Sequence, residues 1–187
     1  VEVFFMGANT GSWLRRADVG VPLCVAYRHL ADLKGELPRA VVPWMLDSGG
    51  FNQVTTHGGY TTSPRDYVRA VKRFADEIGS LRWAACQDWM CEPPALASSG
   101  ASVRCHQRWS IENYLSLRFL EGAPDGRSLF VPPLQGDGRD AFLRHVDEFD
   151  RYGIDLTRAP LVSVGSVCRM QSTLEIGRVL PLWPVSA

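Results

Sequence analysis

Lysine is almost missing from this chain: Lys34 and Lys72 are the only two. Its remaining cationic residues are arginines, whose planar fork suits phosphate and carboxylate better than a point-like ammonium does. No excess of either charge is present, with 20 Lys and Arg against 20 Asp and Glu. That balance removes any bulk field that would mark a polyanion-coating protein or an acidic disordered one. Long apolar runs are also lacking. The opening VEVFFMGANTG is too short to span a bilayer, carries no basic leader and is followed by no small-residue cleavage site, so it reads as a first buried strand. The five cysteines, Cys24, Cys86, Cys91, Cys105 and Cys168, are odd in number and show no CxxC spacing. They suggest neither a disulfide framework nor a zinc site, and a reducing cytoplasm without a membrane partner is the expected setting. His29, His57, His106 and His145 never fall at HxH, HxxxH or HExxH spacing, which argues for packing or solvent-facing roles rather than metal ligation. Phosphate loops are wanting as well: GANTGSW lacks the GxGxxG spacing and no GxxxxGK[ST] occurs.

What is present is alternation. The chain has 187 residues, of which 45% are hydrophobic, enough for one core, and it reads as a single domain over 1–187. Short apolar runs recur at 1–8, 21–27, 41–46, 81–86, 129–134 and 160–165. None alternates apolar with polar, as expected of parallel strands covered on both faces. Between them lie helical patterns. Ser63 and Pro64 form an N-cap and first-turn pair, followed by Val68, Val71, Phe74, Ala75 and Ile78, until Gly79 closes the segment. A second helix is expected over about 106–121 before Gly122, a third from Arg139 to Tyr152 before Gly153, and a fourth from near Gln171.

This order calls for an α/β fold with a parallel sheet and right-handed crossovers. Polar residues recur at strand C-terminal ends: Asn9, Tyr27 with Arg28, Asp47, Gln87 with Asp88, Gln135, and Ser163 with Ser166. A (β/α)8 TIM-type barrel gathers such ends into one mouth, where barrel enzymes keep their active sites. A complete barrel takes eight units and roughly 250 residues. About six units are legible here, so an incomplete barrel is expected, and its two unpaired edges would favour oligomers or a complementing chain.

Asp47, in PWMLDSGGFNQV, is the sharpest chemical candidate. An acid at a strand end beside Gly49 and Gly50 stands where a ligand can approach the main chain; Asp before Ser-Gly-Gly also composes an ordinary turn. Asp88, in CQDWMCEPP, is a second strand-end acid, able to divide acid and base roles with the first or to hold a planar amidine-like edge; otherwise it is a cap or a salt-bridge partner. Gln135 with Gly136 supplies an amide that donates and accepts, as a nucleobase edge requires, or fills a turn. Gly165, in SVGSV, lets a ligand touch backbone, and the serines there do not form a GxSxG elbow.

The four segments DSGGF (47–51), QDWMCEP (87–93), LQG (134–136) and VGSVCRMQ (164–171) together resemble the tRNA-guanine transglycosylase superfamily. The resemblance is closer to its DNA-directed branch, the DpdA-type deazapurine DNA modification proteins, and reaches to about Gly177. It implies a (β/α)8 barrel that exchanges guanine for a 7-deazaguanine such as preQ0, with chemistry akin to a retaining glycosidase. Carried over, Asp47 is the catalytic residue that handles protons at the reacting nucleoside. Ser48, Gly49 and Phe51 belong to the substrate site with Phe51 as stacking face, Asp88 and Gln135 read the base, and Gly136 and Gly165 offer close approach. Asn52 and Trp89 depart from the tRNA enzymes and point to DNA rather than tRNA as partner. The resemblance places the family's nucleophilic aspartate on an eighth strand and its zinc cluster beyond that, so a C-terminally truncated barrel with no metal or cofactor of its own is expected. Two other functions share these residues: a catalytically silent barrel that binds a purine or a partner, and a barrel hydrolase using Asp47 and Asp88.

Overall fold

The computed structural model describes residues 5–8, 10–16, 18, 20–123 and 127–166. Within them, strands and helices alternate as β1 (Phe5–Ala8), β2 (Leu23–Ala26), α1 (Arg28–Ala31), β3 (Trp44–Asp47), α2 (Gly50–His57), α3 (Pro64–Ile78), β4 (Leu81–Ala85), α4 (Pro93–Ser99), α5 (Val103–Glu121), β5 (Phe130–Val131), β6 (Pro133–Leu134), α6 (Arg139–Arg151) and β7 (Ser163–Val164). Asn9, Cys168 and the helix expected from Gln171 lie outside the described residues.

All strand pairs are parallel, and the larger sheet runs β1-β2-β3-β4-β5 in chain order. A two-stranded sheet pairs β6 with β7. One extended run joins the two sheets, because Pro132 has no N–H to give and breaks the ladder. Before it the run pairs with β4; after it the run pairs with β7, and the Pro132 carbonyl accepts from Ser163 N at 3.0 Å. The fold is therefore α/β with a parallel sheet, and its described strands contain no order reversal of the kind at which doubly wound sheets bind nucleotides.

Both faces of the sheet are covered, one more completely than the other. Register aligns Leu23 with Trp44, Val25 with Leu46, Leu46 with Ala84, and Ala84 with Phe130. This face is fully buried in one core with Tyr67, Val71, Phe74 and Ile78 of α3 and Ile111, Tyr114 and Leu117 of α5. The opposite face carries Cys24 and Val131, both buried, with Met45, Asp47, Trp83 and Ala85, half-buried. Both helices pack on the same side, so their removal of apolar surface, about 1.5–3 kcal/mol for each large side chain, anchors the strands from that side.

The caps explain the helix limits. Ser63 Oγ accepts from Asp66 N at 3.1 Å, Pro64 occupies the first turn, and Gly79 ends α3. Helix α5 begins at Val103 rather than His106 because Ser102 Oγ accepts from Cys105 N at 3.3 Å, and it closes at Gly122 with φ 63°. Helices α1, α2 and α4, with 4, 8 and 7 residues, are too short to print a periodic stripe. They pack the loops over the strand ends, with α2 against α4 through Val54, Met90 and Ala95.

Candidate active site

Asp47 closes β3, and its carbonyl accepts from Tyr27 N at 2.8 Å, so its backbone is fixed by the sheet. The chain then turns through Gly49 at φ 71°, a left-handed conformation that glycine adopts without strain. The Asp47 carboxylate accepts from the Gly49 backbone N–H, so the turn reading of this acid holds locally. Even so, its pKa is raised above the usual carboxylate value: burial outweighs the Gly49 bond and the Arg28 charge, both of which favour ionisation.

Ser48 is buried, with Oγ 3.3 Å from Tyr60 Oη. The Tyr60 hydroxyl donates to the Asp88 carbonyl at 2.8 Å, which leaves its oxygen to accept from Ser48. A Cβ on Gly50 would meet Tyr60 Oη at 2.1 Å and Met90 Cε at 2.4 Å. Glycine at 50 is thus what allows this tyrosine to cross the start of α2 and tie the loop after β3 to the loop after β4. Phe51 is half-buried against Val54, Met90 and Ala95. Trp89 makes ring contacts with Tyr60, His106 and Trp109, its centroid 4.6 Å from that of Trp109.

Asp88 and Gln135 meet directly. Gln135 Nε2 donates to Asp88 Oδ2, and Ser166 Oγ donates to Gln135 Oε1 at 2.5 Å. Ser166 also accepts from Cys91 N at 2.7 Å, and holds φ 58°, a costly conformation for a residue with a side chain. The backbone of Gln135 is fixed just as fully. Its N–H goes to His145 Nδ1 at 2.8 Å, and its carbonyl accepts from Gln107 Nε2 at 2.7 Å. Since Nδ1 accepts, the proton of His145 lies on Nε2 and points to Gln107 O at 3.0 Å. Burial pushes the His145 pKa down to about 4, so the ring stays neutral. Gln135 itself is fully buried.

Burial is also the largest cause that lifts Asp88, followed by the charge of Asp47; the Gln135 bond opposes them, and the carboxyl is pushed up to about 7. The two acids are electrostatically coupled across neighbouring strands, and near neutral pH they hold less than two full negative charges. Asp47, Asp88 and Gln135 thus share one end of the sheet.

Two glycines do something other than expected from sequence. A Cβ on Gly165 would lie 2.1 Å from Gln135 Nε2, so the open side of Gly165 is filled by that amide. A Cβ on Gly136 would lie 2.9 Å from Phe142 N, so Gly136 admits the start of α6. Tyr60, Gln107 and His145 were missed by sequence reasoning. Each reaches the site from a loop or helix interior where nothing local marks it. Ser166 was visible only as a serine flanking a strand. Among the described residues, no three His, Cys, Asp or Glu side chains gather as a metal-ligand set, and no helix is long and apolar enough to cross a membrane.

The fold and site define a parallel α/β protein whose strand C-terminal ends join two coupled carboxylates to an immobilised amide. The family model for DpdA, DeoxyPurine in DNA protein A, matches residues 1–182, and the chain belongs to that family. Comparison with curated proteins and with solved structures returns no significant match. The family's description links it to deoxypurines in DNA and hence to DNA modification.

Proposed function

We propose that this chain is a pentosyltransferase that replaces guanine in DNA with a 7-deazaguanine of the preQ0 type, on a fold of the (β/α)8 kind. The observation that carries this reading is the hydrogen-bonded Asp88–Gln135 pair beside Asp47 at one end of a sequentially ordered parallel sheet. Strand order in chain sequence supports the barrel, and the position of the acids agrees with where barrels hold their chemistry.

In the exchange, the C1′–N9 bond to guanine breaks and a C1′–N9 bond to the incoming base forms. The N9 proton of the incoming base ends on the outgoing one. A group that takes and returns this proton must hold it more readily than an ordinary carboxylate does, and burial raises the Asp47 carboxyl in that direction. Retention follows from two inversions at C1′; the resemblance assigns the attacking carboxylate to an eighth strand, and no described residue is assigned to it. Guanine and 7-deazaguanine differ only at position 7 and so share N1–H, the 2-amino group and O6. Ionised Asp88 accepts from the N1 and 2-amino edge, while Gln135, with Oε1 engaged by Ser166 and one amide proton on Asp88, has one proton left for O6. A single reader therefore serves both the leaving and the entering base, as an exchange reaction requires. Phe51 and Trp89 supply apolar walls for a nucleotide turned out of the stack.

The test is incubation of the purified chain with guanine-containing DNA and labelled 7-deazaguanine. Label enters DNA with release of one guanine per base incorporated, and Asp47→Asn lowers incorporation by about 10²–10⁴-fold. Guanine release without label incorporation would instead identify a hydrolase using the same acids; base binding without release would identify a silent purine-binding barrel.

A further inference from the structure

The N-terminal ends of β4 and β5 hold a cavity of about 880 Å³, at the opposite end of the strands from Asp47 and Asp88. Arg82, Arg118, Arg127 and Arg158 line it together with Trp83 and Tyr114. Among the described residues, Asp155 is the one acid in the lining; its Oδ1 accepts from Thr157 N at 2.9 Å and from Thr157 Oγ1 at 2.6 Å, and its charge acts on Arg158. The nearby Glu121 is engaged as well, accepting from Ser128 Oγ at 2.5 Å and Leu129 N at 2.9 Å. Arg82, Arg118 and Arg158 take part in none of the ion pairs among the described residues. The Arg118 guanidinium lies 5.6 Å from the centroid of the Tyr114 ring, which holds it against the cavity wall. In a chain with no net charge, the described lining of this cavity thus holds four arginines against one carboxylate.

We propose that this cavity binds a phosphate-bearing small molecule of nucleotide size. Guanidinium forks recognise phosphate oxygens in pairs. An anion bound in the cavity is attracted by the surplus of arginines in its lining. The half-buried Trp83 and the Tyr114 ring add an apolar wall for a base, and the volume falls within the range of about 300–1,000 Å³ usual for such ligands. The site is separate from the base-exchange mouth, so a nucleotide held here is neither the leaving nor the entering purine.

Calorimetric titration of the full chain with ATP, GTP, inorganic phosphate and a single-stranded oligonucleotide tests this. Saturable one-to-one binding of ATP or GTP is expected, weakened about tenfold by each of Arg82→Gln and Arg158→Gln and unchanged by Asp47→Asn. Both arginines are exposed, so these variants should fold, and unchanged thermal melting checks that they do. Absence of nucleotide binding at millimolar concentration, or nucleotide binding indifferent to both arginine variants, would overturn the proposal. If only the oligonucleotide loses affinity in the variants, the phosphates recognised belong to a polymer backbone and the small-molecule assignment fails. Because the readout is binding at the far end of the strands, its failure leaves the base-exchange reading untouched.

Discussion

At the C-terminal ends of β3 and β4 the sheet presents Asp47 and Asp88, half-buried and coupled, with their pKa values raised. At the N-terminal ends of β4 and β5 it presents four arginines around a cavity, three of them exposed. A carboxyl group can be moved by burial into the range where it gains and loses a proton near pH 7, whereas guanidinium stays charged at any such pH. In the proposed reading, proton chemistry belongs to the first end and anion recognition to the second. The difference comes from what surrounds each group: Asp47 and Asp88 are half-buried, whereas Arg82 and Arg158 are exposed.

The comparison breaks most sharply at Asp47. Asp47→Asn should lower label incorporation by about 10²–10⁴-fold, the usual contribution of a proton-transfer group, while Arg158→Gln leaves it unchanged. Equal losses in both variants would erase the distinction between the ends. Next comes Gly165→Ala, whose Cβ would lie 2.1 Å from Gln135 Nε2. Displacing that amide should reduce incorporation by about 10²-fold with little change in arginine-cavity binding.

The pH dependence sharpens the same contrast. In the proposed reading Asp88 must be ionised to accept from the base, and its carboxyl is pushed up to about 7. Affinity for 7-deazaguanine should fall by about tenfold per pH unit below that value, measured by calorimetry, and the slope should vanish in Asp88→Asn. The smallest effect is on stability. The folded state holds the Asp88 proton up to about 7, whereas the unfolded chain releases it near about 4. More protons are bound folded than unfolded in that window, so this group's contribution declines as pH rises through it. At pH 8, Asp88→Asn should therefore melt a few degrees higher than the parent while losing exchange. A lower melting temperature would mean that ionised Asp88 is better solvated than its surroundings indicate.

Legibility in the sequence followed the range of the interactions. Helix α3 was readable because Ser63, Pro64 and Gly79 mark its ends within the segment itself. Helix α2 was not, because its start is buried in a Gly-Gly turn and its eight residues print no stripe. Asp47, Asp88 and Gln135 stood out as polar residues ending apolar runs, a local signal. His145 is 10 residues and Gln107 is 28 residues from Gln135 in the chain, and Ser166 is 31 away. A sequence motif cannot show that such residues hold one amide, because that information lies in the packing of α5 and α6 on the sheet. Gly165 shows the same limit: its need for a bare backbone was visible, but the group that fills the space is a side chain from another strand.

A crystal structure of the chain with 7-deazaguanine bound tests the central claim most directly. The base should lie at the C-terminal ends of β3 and β4, with its N1 and 2-amino edge on Asp88, O6 within hydrogen-bond reach of Gln135 and N9 directed toward Asp47. A base seated among Arg82, Arg118 and Arg158 instead, or bound without touching Asp88, would contradict the account.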